Sequence, residues 1–171
     1  MTKRKRSRKS GGTDLAVPKD LSDETLAGWL ESRPDVFDPT GDGCDEETLT
    51  ELEQELGGEL PEPLPSLLRV SDGGIIHGPA QSLYLASIED YLSWKEEGIT
   101  DDLGTVPFAH DGETSVLVLD PEGNWGSPAG GVYRVMVGQR AIRGFPIQDA
   151  VRIADSLPSL VRHLVDGQRA F

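Results

Sequence analysis

Three histidines and one cysteine are the side chains here best suited to chemistry near neutral pH, and their spacing decides what they can do. His77, His110 and His163 stand far apart, and none falls in a metal spacing such as H-x-x-x-H. Each reads as a turn or surface histidine. His110-Asp111 is the most site-like pair, because it lies in a loop at the end of a β-type run. A hydrolase built on those two residues lacks a recognisable nucleophile nearby. Cys44 is the single cysteine, which excludes an intramolecular disulfide, and no Cys/His cluster stands ready for a structural zinc. The acidic neighbours of Cys44 raise a thiol pKa rather than lower it. Asp120, Glu122 and Asn124 imitate the start of a calcium loop, but the sixth position is Trp125 and the twelfth is Gly131, so the pattern fails. Gly130-Gly131 lacks the lysine of a P-loop and the full dinucleotide-binding glycine pattern. The residues therefore point to no catalytic group, no metal and no cofactor, and the expectation is a binding protein, not an enzyme.

What the chain does display is charge. The first nine residues carry six positive charges (Lys3, Arg4, Lys5, Arg6, Arg8, Lys9) and no acid. The other 162 residues hold 10 basic and 30 acidic groups, a net of −20. Sixteen of the acids fall between Asp14 and Glu62, opposed only by Lys19 and Arg33, a net of −14 within 49 residues. Such a density either keeps a solvated surface soluble or creates a negative field that repels nucleic acid and anionic lipid and attracts basic protein surfaces. The basic segment, followed by Ser10-Gly11-Gly12, has too little apolar surface to order itself. It reads as a nuclear-import or nucleic-acid patch, or as an end lying transiently on the acidic body. Aromatics make up only 6% of the chain and the body's basic residues are dispersed, so a nucleic-acid platform is not expected beyond weak contact through the tail.

With 171 residues, 36% of them hydrophobic, the chain suits one domain with a proper core. No apolar run approaches the roughly 18 to 20 residues of a membrane span. No apolar stretch follows the basic N-terminus, so it does not read as a secretory signal. A reduced, cytoplasmic setting is the default, with a nuclear one open to a eukaryotic host through Lys3 to Lys9.

The expected elements run as follows. Residues 1–19 form a disordered basic tail and 20–171 the domain. A first helix starts near Ser22, a good N-cap, with Leu26, Trp29 and Leu30 on one stripe, and Arg33-Pro34 ends it. Asp35 to Cys44 reads as a loop. A second helix from about Asp45 to Leu56 places Leu49, Leu52 and Leu56 inward and stops at Gly57-Gly58. Leu60-Pro61 leads into a short third helix closed by Asp72-Gly73-Gly74. Leu83 to Leu85 reads as a strand, and Ser87 caps a fourth helix whose inner stripe is Ile88, Tyr91 and Leu92. Val106 to Ala109, Ser115 to Leu119 and Val132 to Val137 are β-type runs, with a further strand within Ala141 to Ile147 or Val151 to Ala154. Leu157, Leu160, Val161, Leu164 and Val165 make a closing amphipathic helix. The fold class is α+β: N-terminal helices, an antiparallel β-sheet meander and a C-terminal helix in one domain.

The order of these motifs resembles the SUKH superfamily, the Smi/Knr-like domains, over about Leu26 to Val165. Trp29-Leu30 is similar to an early Trp-Leu of that superfamily. Leu52-Glu53, Leu56-Gly57 and Leu60-Pro61 resemble its Glu-bearing helix running into Gly and Leu-Pro. Leu67-Leu68 with Asp72-Gly73 resembles the close of the next helix, and Trp94 stands where many members carry a Trp. Pro107-Phe108-Ala109, Asp111-Gly112 and Leu119-Asp120 resemble the central hairpin, and Ala154-Asp155-Ser156-Leu157 the start of the last helix. After Asp111-Gly112 many members carry Gly-Asn, where this chain has Glu113-Thr114-Ser115.

The resemblance implies a non-catalytic role. Bacterial members are implicated as immunity proteins that bind and neutralise polymorphic toxins, and fungal members regulate cell-wall assembly through protein contacts. The first expectation is an immunity-type antagonist that presents Glu46, Glu47, Glu51, Glu55, Glu59, Glu62 and Asp72 to a toxin domain with a basic surface. The alternative is a regulatory or scaffold module with the basic tail as its targeting element. Trp29, Leu60, Pro61, Gly73, Asp111 and Ser156 are expected to determine the fold, because Leu-Pro after a glycine stop and Asp-Gly turns fix sharp changes of direction.

Overall fold

A computed structural model describes residues 16–97, 104–112, 114–126, 128–136 and 150–169. Helix α1 (Asp23–Glu31) starts after Ser22, whose N–H donates to the Thr25 hydroxyl at 3.0 Å. Leu26, Ala27 and Leu30 are its buried stripe. Helix α2 (Glu46–Leu56) is capped by Asp45, whose carboxylate accepts from the Thr48 N–H at 2.8 Å. It ends where Gly57 takes the left-handed conformation at φ 85°, a shape that glycine adopts without steric penalty. Helix α3 (Leu64–Val70) follows the Leu60-Pro61 corner and buries Leu64, Leu67 and Leu68.

Helix α4 (Ile88–Glu96) carries a reciprocal cap at its start. The Ser87 hydroxyl accepts from the Asp90 N–H at 3.2 Å, and the Asp90 carboxylate accepts from the Ser87 N–H at 2.8 Å. Helix α5 (Leu157–Val165) begins after Ser156 and buries Leu157, Leu160, Val161 and Leu164.

Seven described strands form one sheet: β1 (Phe37–Pro39), β2 (Gly74–His77), β3 (Ser82–Leu85), β4 (Val106–His110), β5 (Ser115–Asp120), β6 (Gly131–Met136) and β7 (Val151–Ala154). Each pairs antiparallel with its sequence neighbours, in the order β1 to β7. The register of β4 against β5 shifts between Pro107 and Ala109, where proline supplies no ladder donor.

Two strands depart from the sequence reading. β1 lies inside the stretch read as a loop, and β2 follows directly on the Asp72-Gly73 turn. Of the two alternatives for the last strand, the structure has Val151–Ala154; Ala141 to Ile147 lies outside the described residues.

The helices share their core with one face of the sheet. Phe37, Ile76, Leu83, Phe108, Leu117, Leu119 and Val132 meet the leucines of α1, α2, α3 and α5 there. On the other face Val116, Val118 and Val135 are buried, with Trp94, Trp125 and Ala150 packed against them. Residues 1–15 of the expected tail lie outside the described residues. Val17 is buried, and Arg162 of α5 donates to the Pro18 carbonyl at 3.1 Å and the Lys19 carbonyl at 3.4 Å. The packed body therefore takes in residues ahead of the boundary expected at 20.

Candidate functional site

The acids of α2 fall into two groups, set by helix geometry and by what stands opposite them. Glu47, Glu51 and Glu55 are spaced i, i+4 and i+8, which aligns them in one row on the exposed side. Glu55 ends that row against Lys95 of α4, whose ammonium lies 3.4 Å from its carboxylate and also donates to its backbone carbonyl. Glu47 and Glu51 form no ion pair among the described residues.

Glu46 sits on the side toward α3. The Arg69 guanidinium donates to both its oxygens, at 2.6 and 3.1 Å, and this holds the Glu46 carboxyl below the usual glutamate range. Arg69 also lies 4.0 Å from Glu62, whose other oxygen accepts from the Ser66 hydroxyl at 2.7 Å. Glu59, in the corner between α2 and α3, is exposed and forms no ion pair among the described residues. Asp23 adds to this side. Burial, and then the charge of Glu62, push its carboxyl above the usual aspartate range.

Asp72 does not join this row. It is half-buried, and its carboxylate accepts from the Ile88 N–H at 2.7 Å, at the start of α4. Its sequence position after α3 placed it with the other acids, while the fold commits one of its oxygens to a helix terminus.

The residues read as fold-determining occupy corners. Leu60 is buried and Pro61 half-buried. The Leu60 N–H donates to the Glu53 side chain at 2.9 Å, across seven residues. Glu53 was missed as a positioning residue, although its place in the Leu-Glu motif offered the signal. Gly73 has φ 78°, and a Cβ there would lie 2.9 Å from the Thr40 hydroxyl. The Asp111 carboxylate accepts from the Thr114 and Ser115 N–H groups at 2.9 and 3.0 Å. Ser156 caps α5 by accepting from the Ser159 N–H at 3.2 Å. Trp29 is half-buried on the core, with the Arg33 guanidinium 5.3 Å from its ring centre.

Asp120 was also missed. It is fully buried, and its two oxygens accept from the Asn124 and Trp125 N–H groups, each at 2.8 Å. The carboxylate that imitates a calcium ligand thus organises the β5–β6 turn instead.

The groups suited to chemistry are dispersed. His77 bonds Ser82 through Nδ1 at 3.1 Å, and His110 accepts the Gly112 N–H on Nδ1 at 3.0 Å while stacking on Tyr84. The Cys44 thiol is held above its ordinary pKa by burial first, then by Asp72 and Asp45. Among the described residues no group of three His, Cys, Asp or Glu side chains is placed to hold a metal ion. None of the described helices is long and apolar enough to cross a membrane.

Fold and site together define an α+β protein that sets out charge on a helical exterior. Residues 43–162 match the family model described as SMI1 / KNR4 family (SUKH-1), and the chain belongs to that family. The match begins just before α2 and ends inside α5, so the acidic row, Asp120 and the whole meander from β2 fall within it, while Trp29 precedes it. No curated protein matches the chain.

Proposed function

We propose that this protein is an immunity-type antagonist, which binds a toxin domain through its carboxylate-rich helical exterior and neutralises it by covering a basic surface. Membership of the SMI1/KNR4 family supports a non-catalytic immunity or regulatory role in general. The observation that carries the finer reading is the row of Glu47 and Glu51, without an ion pair among the described residues, with Glu59 exposed in the corner that follows the helix.

Like charges at i, i+4 destabilise a helix by a few tenths of a kcal/mol each, so beyond the favourable place of Glu47 in the first turn the row does not serve the stability of α2. It does serve encounter. A basic cleft approaching a surface with this field associates faster, and the gain falls steeply with salt. Arg69 and Lys95 then hold Glu46, Glu62 and Glu55 in fixed orientations at the margins of the row. Glu46, Glu47, Glu51, Glu55, Glu59 and Glu62 form the proposed contact surface, and Asp72 stands outside it. The setting we assign is the reducing cytoplasm of the producing cell.

The test is capture of the partner from the native host, followed by association kinetics at about 50 and 500 mM salt. The expected result is a strong fall in association rate with salt, and a similar fall in a Glu47→Lys/Glu51→Lys variant at low salt. A salt-independent rate, or a rate indifferent to those substitutions, overturns the steering role. A second reading rests on the Lys3 to Lys9 cluster: a regulatory module of the cell-wall type, targeted by its tail. Deleting residues 1–12 and following location separates the two, since targeting demands a changed distribution.

A further inference from the structure

The fourth helix leaves part of its apolar stripe open. Of Ile88, Tyr91 and Leu92, only Tyr91 is buried. Ile88 and Leu92 are half-buried, packed in part against the core, and with Asp72, Glu89, Ser93 and Glu96 they line a surface groove of about 550 Å³. Among the described residues no cationic side chain lines it, and Glu89 and Glu96 form no ion pair. This is a groove with an apolar floor and an anionic rim.

We propose that the groove receives the chain's own basic segment, Lys3 to Lys9. Long basic side chains suit it doubly, because their methylene stems cover apolar surface while their charged heads stay at the wet rim. The segment offers six such side chains and no acid.

Its anchor is fixed: Val17 is buried and Arg162 holds the Pro18 and Lys19 carbonyls. From Val17, Lys9 and Lys3 reach roughly 27 and 48 Å at about 3.4 Å per residue. A domain of this size has a radius of gyration of about 15 Å, a span that the segment can cover. Tethering of this kind gives an effective concentration on the order of millimolar, enough for a weak charged contact to be populated.

The α2 row is the poorer match for the tail. Of the row and the acids at its margins, Glu55, Glu46 and Glu62 already have Lys95, Arg69 and Ser66 as partners. The proposal needs no external partner, so it stands or falls separately from the toxin reading.

The test uses the full chain with Ser7→Cys carrying a nitroxide spin label and Cys44→Ser removing the native thiol. At about 50 mM salt, paramagnetic broadening is expected to be strongest at Ile88–Glu96 and Asp72. It should fade at about 500 mM, where screening acts within a few ångströms. It should also be lost in Glu89→Gln/Glu96→Gln while the amide fingerprint elsewhere is unchanged. Broadening centred on Glu47 to Glu59, spread evenly over the surface, or absent at low salt overturns the proposal. Carbodiimide cross-linking of the unsubstituted chain gives a second reading. Links from Lys3, Lys5 or Lys9 to Glu89 or Glu96 support the groove, and links to α2 alone reject it.

Discussion

Replacing Glu53 by alanine isolates the contact that turns α2 into α3. Its carboxylate accepts the Leu60 N–H at 2.9 Å, and Leu60 is buried, so the orphaned N–H is poorly placed to recover its bond from water. A hydrogen bond to a charged acceptor is worth about 1.5–3 kcal/mol. Against that, Glu53 stands in the last turn of α2, where a negative charge opposes the helix dipole, and its removal returns roughly 0.5 kcal/mol. Alanine is also slightly the better helix former. The net expectation for Glu53→Ala is a loss of about 1–2 kcal/mol, which lowers Tm by about 2–8 °C in a domain of this size. Glu53→Gln is the control, because the amide oxygen can still accept; its loss should be under about half that of alanine. Urea denaturation of the three proteins at pH 7, read by tryptophan fluorescence and far-UV circular dichroism, makes the comparison. If the two variants lose equal stability, the charge and not the bond matters. If neither loses any, the corner is held by Pro61 and packing alone, and the reasoning is wrong.

Four further outcomes follow from the geometry. Asp120→Ala leaves two turn N–H groups without their acceptor and should cost about 2–4 kcal/mol in urea unfolding; a change below about 0.5 kcal/mol would show the turn holding itself. Gly43→Ala puts a Cβ 1.9 Å from the Arg69 carbonyl oxygen and should lose about 2–3 kcal/mol, while Gly28→Ala, mid-helix with nothing within 4 Å, should gain about 0.5–1 kcal/mol. Opposite signs are required of that pair in thermal melts. Glu46, held down by Arg69, should titrate below an ordinary glutamate, so its stabilising share is present above the unfolded-chain value and is lost as pH falls through the folded one. Asp23 should titrate above an ordinary aspartate and move down in Glu62→Gln; carbon-detected NMR titration reads both, and reversed directions refute the assignment.

The helices were legible because their signals are local. Ser22, Asp45, Ser87 and Ser156 all immediately precede helices, and the leucine spacings of α2 and α5 name the buried faces. β1 was not, since Phe37-Asp38-Pro39 is three residues with a proline and shows no alternation. Pairing with β2 makes it a strand, and β2 itself begins at a glycine inside a turn-like run. The open side of α4 was hidden for a related reason. Periodicity marks an apolar stripe, but what covers that stripe is decided by elements distant in sequence. The acidic surface was visible by counting, yet counting weights all carboxylates alike. Arg69, 23 residues from Glu46, and Lys95, 40 from Glu55, separate the neutralised acids from the free ones. Asp72 was grouped with the row on the same ground, its Ile88 partner lying 16 residues away.

The meander grows strand by strand from sequence neighbours, and among the described residues α5 reaches back to the segment before α1 through Arg162 and the Pro18 carbonyl, 144 residues apart. A nascent polypeptide on the ribosome can thus assemble its ladder early, yet Ile76 and Val132 wait for α5, made after β7, to complete the apolar layer that α1, α2 and α3 begin. Premature termination before Leu157 would release a sheet whose greasy face is only partly roofed, a natural client for chaperones and proteases.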